Sequence, residues 1–105
     1  MNYIQSGKGA GAKVRVGGSK QGDKGYYIEP TIFTDVKPDM KIVQEEIFGP
    51  VAVIVKFKTE EEVIQLANDT VYGLSSNVFT QNVSRALRVA HALEAGSTYV
   101  RRTPP

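Results

Sequence analysis

VAVIVKFKTEEEVIQLANDTVYGLSSNVF, residues 51–79, decides the fold. It opens on a continuous apolar run, VAVIVKF at 51–57, which reads as a strand buried on both faces. The period then changes. Thr59 is followed three residues later by Glu62, a capping-box pattern, and Val63, Ile64, Leu66 and Ala67 give a short helix its inward stripe. LSSNVF, 74–79, returns to strand. Beyond it, Gln81 or Asn82 opens a second helix, with Val83, Ala86, Leu87, Ala90 and Leu93 spaced by threes and fours. Gly96 is placed to end that helix in a left-handed conformation, and STYV at 97–100 predicts a last strand. The order is β-α-β-α-β. Such alternation implies an α/β fold whose sheet is mostly parallel, with right-handed crossovers and ligands at the carboxyl ends of the strands.

Extended strands are expected ahead of this unit. AKVRV, 12–16, alternates as a short strand, and GYYIEPTIF, 25–33, reads as a second extended segment. Pro30 forbids a helix there and marks an edge or a bulge. Residues 6–25 hold seven of the ten glycines, yet they fit no phosphate loop. Gly7, Gly9 and Gly11 give GxGxG, the place of the third glycine of GxGxxG falls on Ala12, and no GxxxxGK[ST] occurs. Flexible turns around a short strand describe the segment better.

Composition narrows the function. The 105 residues suit one small domain or a piece of a larger one, and 41% hydrophobic content supports a core. A net charge of +2, with cations scattered among acids, argues against nucleic acid. With no cysteine there is no disulfide, thiolate metal site or cysteine nucleophile, and the single histidine, His91, cannot build a metal site by itself. No metal ligand and no catalytic residue is assigned. No apolar run approaches the roughly 20 residues that cross a bilayer, and no secretory signal is visible. The expectation is a cytoplasmic protein without membrane partners, with organelle targeting upstream left open.

The chemistry gathers in EEIFGP, 45–50, at the mouth of the apolar run. A carboxylate accepts two hydrogen bonds at once, so Glu46 can hold a vicinal diol such as a ribose. Phe48, two residues on, lies on the same side of an extended segment and offers a flat apolar face to an aromatic ring. The plainer alternative makes Glu45 and Glu46 solvated and Phe48 core. Ser75 and Ser76 lack the glycines of a nucleophile elbow, and Lys56 and Lys58 read as strand-end charges.

GYYIEPTIFTDV, EEIFGPV, YGLSSNVFT and ALEAGSTYV, in that order, strongly resemble the aldehyde dehydrogenase superfamily over residues 1–100. The resemblance implies a partial catalytic domain, downstream of the family's catalytic cysteine, general base and dinucleotide-binding domain. It places the ribose-binding glutamate of the family on Glu46 and the phenylalanine beside the nicotinamide on Phe48, and leaves Glu45 to support the loop. NAD or NADP is the cofactor of the parent family, and this chain alone is not expected to bind it tightly. The match breaks after Val100, where RRTPP, 101–105, reads as a non-family tail of the kind an altered reading frame or a damaged gene produces.

Two functions from different classes follow. The first is a fragment of an NAD(P)-dependent aldehyde dehydrogenase that positions cofactor but lacks the reacting groups and is inactive alone. The second is a stand-alone, non-catalytic binding or interaction module of the same lineage; a folding remnant is a third. In each case strand edges are left uncovered, so a homo-oligomer or another chain is the expected partner, with an aldehyde bound only by the complete parent.

Overall fold

A computed structural model describes residues 1–101 of the chain. The chain divides into two compact units, residues 1–56 and 57–105, each considered by itself. The fold is α/β. No helix among the described residues is long and apolar enough to cross a membrane.

The first unit begins with α1 (Asn2–Gly9), where sequence suggests only turns. The helix exists because tertiary packing outweighs weak propensity. Ile4 is 1% exposed, and Gly7 lies on the same face against Phe33 and Ile42. A Cβ at position 7 would meet Ile42 Cδ1 at 2.9 Å, so only glycine lets the helix approach this closely. The helix ends in a Schellman-type turn. Gly11 is left-handed at φ 90°, and the Ala12 N–H donates to the Gly7 carbonyl at 3.0 Å. Lysine at the end of the helix suits its negative pole, and Lys8 Nζ donates to the Gly18 carbonyl at 2.6 Å.

Three strands follow as one sheet in the order β1-β2-β3. β1 (Lys13–Val16) and β2 (Thr31–Thr34) are antiparallel, with the register irregular between Val14 and Val16. β2 and β3 (Val51–Val53) are parallel, Thr31 opposite Val51 and Phe33 opposite Val53. The single turn α2 (Lys41–Gln44) lies on the connection between them. Ile4, Ala12, Phe33, Met40 and Ile42 form the buried core.

β3 is shorter than the 51–57 run predicts, and it is not buried on both faces. Val51 and Val53 are half-buried and Ala52 is exposed. The cause lies in its partner. β2 stops at Thr34, Asp35 takes a left-handed φ of 54°, and the last ladder bond runs from Ile54 N–H to the Phe33 carbonyl at 2.9 Å. Without further partner backbone, Ile54 and Phe57 stay exposed.

The second unit contains α3 (Glu60–Asn68), β4 (Ser75–Phe79), α4 (Val83–Ala92) and β5 (Ser97–Arg101). β4 and β5 are parallel, Ser75 opposite Ser97 through Phe79 opposite Arg101, and α4 packs on both. The β-α-β-α-β order holds, with its strands divided between a three-stranded and a two-stranded sheet. Both expected caps are present. Thr59 Oγ1 accepts from the Glu62 N–H at 3.1 Å and Asn82 Oδ1 from the Arg85 N–H at 2.8 Å. The Glu62 carboxylate reaches back one residue further than in a capping box, accepting from the Lys58 N–H at 2.7 Å.

The inward stripe of α4 differs from the one read in sequence. Ala86 and Val89 are buried, whereas Val83 and Leu87 are exposed. A two-stranded sheet offers a narrow surface that covers only the centre of the stripe. The helix closes at Leu93 in an extended conformation, without a left-handed Gly96. Asn68 instead clamps this end: its Nδ2 donates to the Ala92 carbonyl at 2.8 Å, and its Oδ1 accepts from the Glu94 N–H at 2.9 Å. Arg101, expected in the tail, is the last residue of β5. Tail residues 102–105 lie outside the described residues.

Candidate functional site

The EEIFGP segment is held from both ends. Met40, before the first residue of α2, and Ile42 within it are 6% and 3% exposed, so core packing fixes where the helix ends. Glu45 then turns extended, at φ −113° and ψ 149°, while its N–H still bonds the Lys41 carbonyl at 3.0 Å. At the far end the Pro50 carbonyl accepts from the Thr31 N–H at 2.8 Å, which joins the loop to β2. Two tight three-residue turns lie between, Gly49 N–H to Ile47 carbonyl at 3.0 Å and Val51 N–H to Gly49 carbonyl at 2.8 Å.

Within this frame the two glutamates differ. Glu45 Oε2 accepts from the Tyr3 hydroxyl at 2.8 Å and lies 3.7 Å from Lys41 Nζ, which itself sits 5.3 Å from the centre of the Tyr3 ring. Glu45 thus ties the loop to α1. Glu46 is exposed and makes no hydrogen bond or ion pair among the described residues. Ile47 turns in against the core, and Phe48 stands 91% exposed. The alternative in which Phe48 belongs to the core is therefore excluded. An unengaged carboxylate and an uncovered ring flank one inward residue, as alternation along an extended segment requires.

The pair sets a hydrogen-bond acceptor with two free oxygens beside a flat apolar face. A free carboxylate matches two adjacent hydroxyls, and an open aromatic face matches a planar ring. Sequence reasoning did not find Tyr3. It stands 42 positions from Glu45, and no local pattern announces a contact of that separation. His91 is exposed on α4, and the described residues contain no group of three or more side chains able to hold a metal ion.

The aldehyde dehydrogenase family model matches residues 1–105, and the chain belongs to that family. It is 56% identical over 100 residues to an aldehyde dehydrogenase of Agaricus bisporus and 58% identical to one of Davidiella tassiana. Each alignment covers 95% of this chain and 20% of the relative, so the chain spans about a fifth of the length of the curated relatives it matches. Among solved structures, the NAD+ complex of the Bacillus cereus aldehyde dehydrogenase superposes with a TM-score of 0.92 at 48% identity, covering 99% of this chain and 21% of that one. The Pseudomonas aeruginosa aldehyde dehydrogenase KauB gives 0.92 at 45% identity, with the same coverage.

Proposed function

We propose that this chain is the part of an NAD(P)-dependent aldehyde dehydrogenase that holds the nicotinamide riboside, and that it carries neither nucleophile nor general base. In the parent reaction an aldehyde is oxidised to a carboxylic acid, and the bound cofactor supplies the hydride acceptor. Glu46 receives the two ribose hydroxyls as hydrogen-bond donors. Phe48 packs beside the nicotinamide and keeps water from that side of it. Glu45 holds the loop through Tyr3 and Lys41. The single observation that carries the reading is the contrast between adjacent acids, Glu45 engaged and Glu46 exposed and unpaired beside an uncovered Phe48.

A chimera tests it: the Bacillus cereus enzyme with its matching segment exchanged for this chain. A hydrogen bond to a charged group is worth about 1.5–3 kcal/mol net. Glu46→Gln is therefore expected to weaken cofactor binding or hydride transfer roughly ten- to hundredfold. Phe48→Ala should act mainly on the hydride step, and Glu45→Gln should do much less than Glu46→Gln. Cofactor titration and single-turnover hydride transfer, at matched melting temperatures, give the comparison. Equal damage from both glutamine variants would reverse the roles, and no effect from either would leave the pair as a solvated cap.

A further inference from the structure

We infer that Tyr3 is a positioning residue for hydride transfer: acting through Glu45, it sets where Glu46 and Phe48 stand and so aims the nicotinamide without touching it. This rests on the roles proposed for Glu46 and Phe48. Neither of those side chains is fixed by contacts of its own, because Glu46 is exposed and unpaired and Phe48 is uncovered. Their placement comes from the backbone on either side. Downstream that backbone is pinned, with Ile47 packed against the core and the Pro50 carbonyl accepting from the Thr31 N–H at 2.8 Å. Upstream it depends on α2, a single turn that begins after Met40, with no side-chain cap. A lone turn fixes several dihedrals for few hydrogen bonds and does not stand by itself. α1 braces it at two points. Gly7 lets α1 close on Ile42, where a Cβ would come within 2.9 Å, and Tyr3 donates its hydroxyl to Glu45 Oε2 at 2.8 Å. Glu45 is the first residue beyond α2 and the neighbour of Glu46, so this bond falls where the chain leaves the helix.

The parts of the tether are unequal. Lys41 Nζ lies 3.7 Å from Glu45 Oε2 and 5.3 Å from the centre of the Tyr3 ring, which closes a triangle of cation, ring and carboxylate. The ion pair is about half exposed on both sides, so solvent screens it and it carries little direction. The hydroxyl bond is short, has an ionised acceptor and joins groups 42 positions apart, which makes it the directional part. Its consequence for the reaction is selective. Glu46 and Phe48 meet only the nicotinamide riboside end, so a slack loop leaves the rest of the dinucleotide's contacts in place. Hydride transfer, unlike binding, needs the ring held at one distance and one angle, and a misplacement of about 1 Å can cost about a hundredfold in rate. Loss of the tether is therefore read in the hydride step before it is read in affinity.

The test has two arms. In the chain itself, without cofactor, amide exchange is read at Glu45 and Gly49, whose N–H groups bond the Lys41 and Ile47 carbonyls. Tyr3→Phe keeps the ring packed against the core and loses the hydroxyl. It should speed exchange at both amides by about three- to tenfold and leave the Ile54 amide, bonded to the Phe33 carbonyl, as it was. In the Bacillus cereus chimera, Tyr3→Phe should slow single-turnover hydride transfer by about three- to tenfold and change the cofactor Kd by less than about twofold. Glu45→Met offers no acceptor and should match it. Glu45→Gln still offers Tyr3 an amide oxygen and should recover most of the rate. Tyr3→Phe and Glu45→Met together should be no slower than either alone, because both remove one bond. A structural role alone would lower the melting temperature and weaken cofactor binding along with the rate, and Glu45→Gln would bring no recovery. The inference is overturned if Tyr3→Phe leaves exchange or hydride transfer unchanged, if rate and affinity fall together, or if the two substitutions add. Glu46→Gln, run beside them, keeps the two readings apart. A harmless Glu46→Gln with a slow Tyr3→Phe takes Glu46 off the ribose and leaves the tether acting through Phe48; the reverse removes the tether and leaves Glu46 in place.

Discussion

Thr31 shows how one buried side chain organises the first unit. It is 2% exposed, and its hydroxyl accepts from the Gly18 N–H at 2.9 Å while donating to the Glu29 carbonyl at 2.8 Å. Its own N–H holds the Pro50 carbonyl, so one residue joins the glycine turn, β2 and the EEIFGP loop. Thr31→Val keeps the shape and removes both hydroxyl bonds, leaving the Gly18 N–H buried without a partner. The expected cost is about 1–3 kcal/mol, read as a lower urea midpoint with an unchanged slope. A midpoint equal to that of the unaltered chain would mean that water satisfies Gly18 instead. At this scale the sequence told part of the story. The pairing of Glu46 with Phe48 is a spacing of two and can be read locally. The tether of Glu45 to Tyr3 cannot, because it depends on α1 being folded against α2.

Elements were legible where their causes are local. The caps of α3 and α4 follow from Thr59 and Asn82, residues whose side chains bond backbone three positions on. α1 was hidden because its cause is tertiary: a glycine in the middle of a helix makes sense only once Phe33 and Ile42 are seen against it. The 51–57 run was overread for the same reason, since its ladder ends where β2 ends. Between α3 and α4 the sequence gives no hint of the ion pair that joins them. Glu60 accepts from Arg88 at both carboxylate oxygens, Nη2 to Oε2 at 3.0 Å, and Arg85 lies 3.3 Å away. The Arg88 hydrogen bonds, aided by the charges of Arg88 and Arg85, hold the Glu60 carboxyl below its ordinary value, and Glu60 in turn raises Arg88. A depressed carboxyl adds stability that is present above its unfolded pKa and lost as pH falls through the folded one. The second unit should therefore loosen as pH drops below about 4, the ordinary carboxylate range. Because the pair is solvent-facing, the effect should also shrink in high salt. Glu60→Gln should flatten that part of the pH profile, measured by exchange of α3 amides; an unchanged profile would place the acid sensitivity elsewhere.

At the scale of the molecule the two units are unequal. The first encloses a cluster of five buried apolar residues, whereas the second buries only Ala86 and Val89 among its described residues, and α3 buries none. Apolar burial supplies most of the driving force, so local opening should be easier in the second unit. Amides of β2 are accordingly expected to exchange far more slowly than those of β4; equal rates would show that both units share one cooperative transition. The whole chain also sets a chemical boundary. Aldehyde oxidation through a covalent enzyme intermediate needs a thiolate, or another activated nucleophile, to attack the carbonyl before hydride can leave. The sequence contains no cysteine, Ser75 and Ser76 lack the glycines of a nucleophile elbow, and the Ser76 hydroxyl shares a hydrogen bond with the Thr98 hydroxyl at 2.8 Å. The chain by itself is therefore expected to form no NADH or NADPH from any aldehyde. Short-chain, long-chain and aromatic aldehydes, each with NAD+ and with NADP+, are followed at the reduced-cofactor absorbance against a heat-treated control. Turnover above that control, lost on Glu46→Gln but retained by a sample freed of trace full-length enzyme, would establish a nucleophile other than cysteine and overturn the division of labour proposed for this chain.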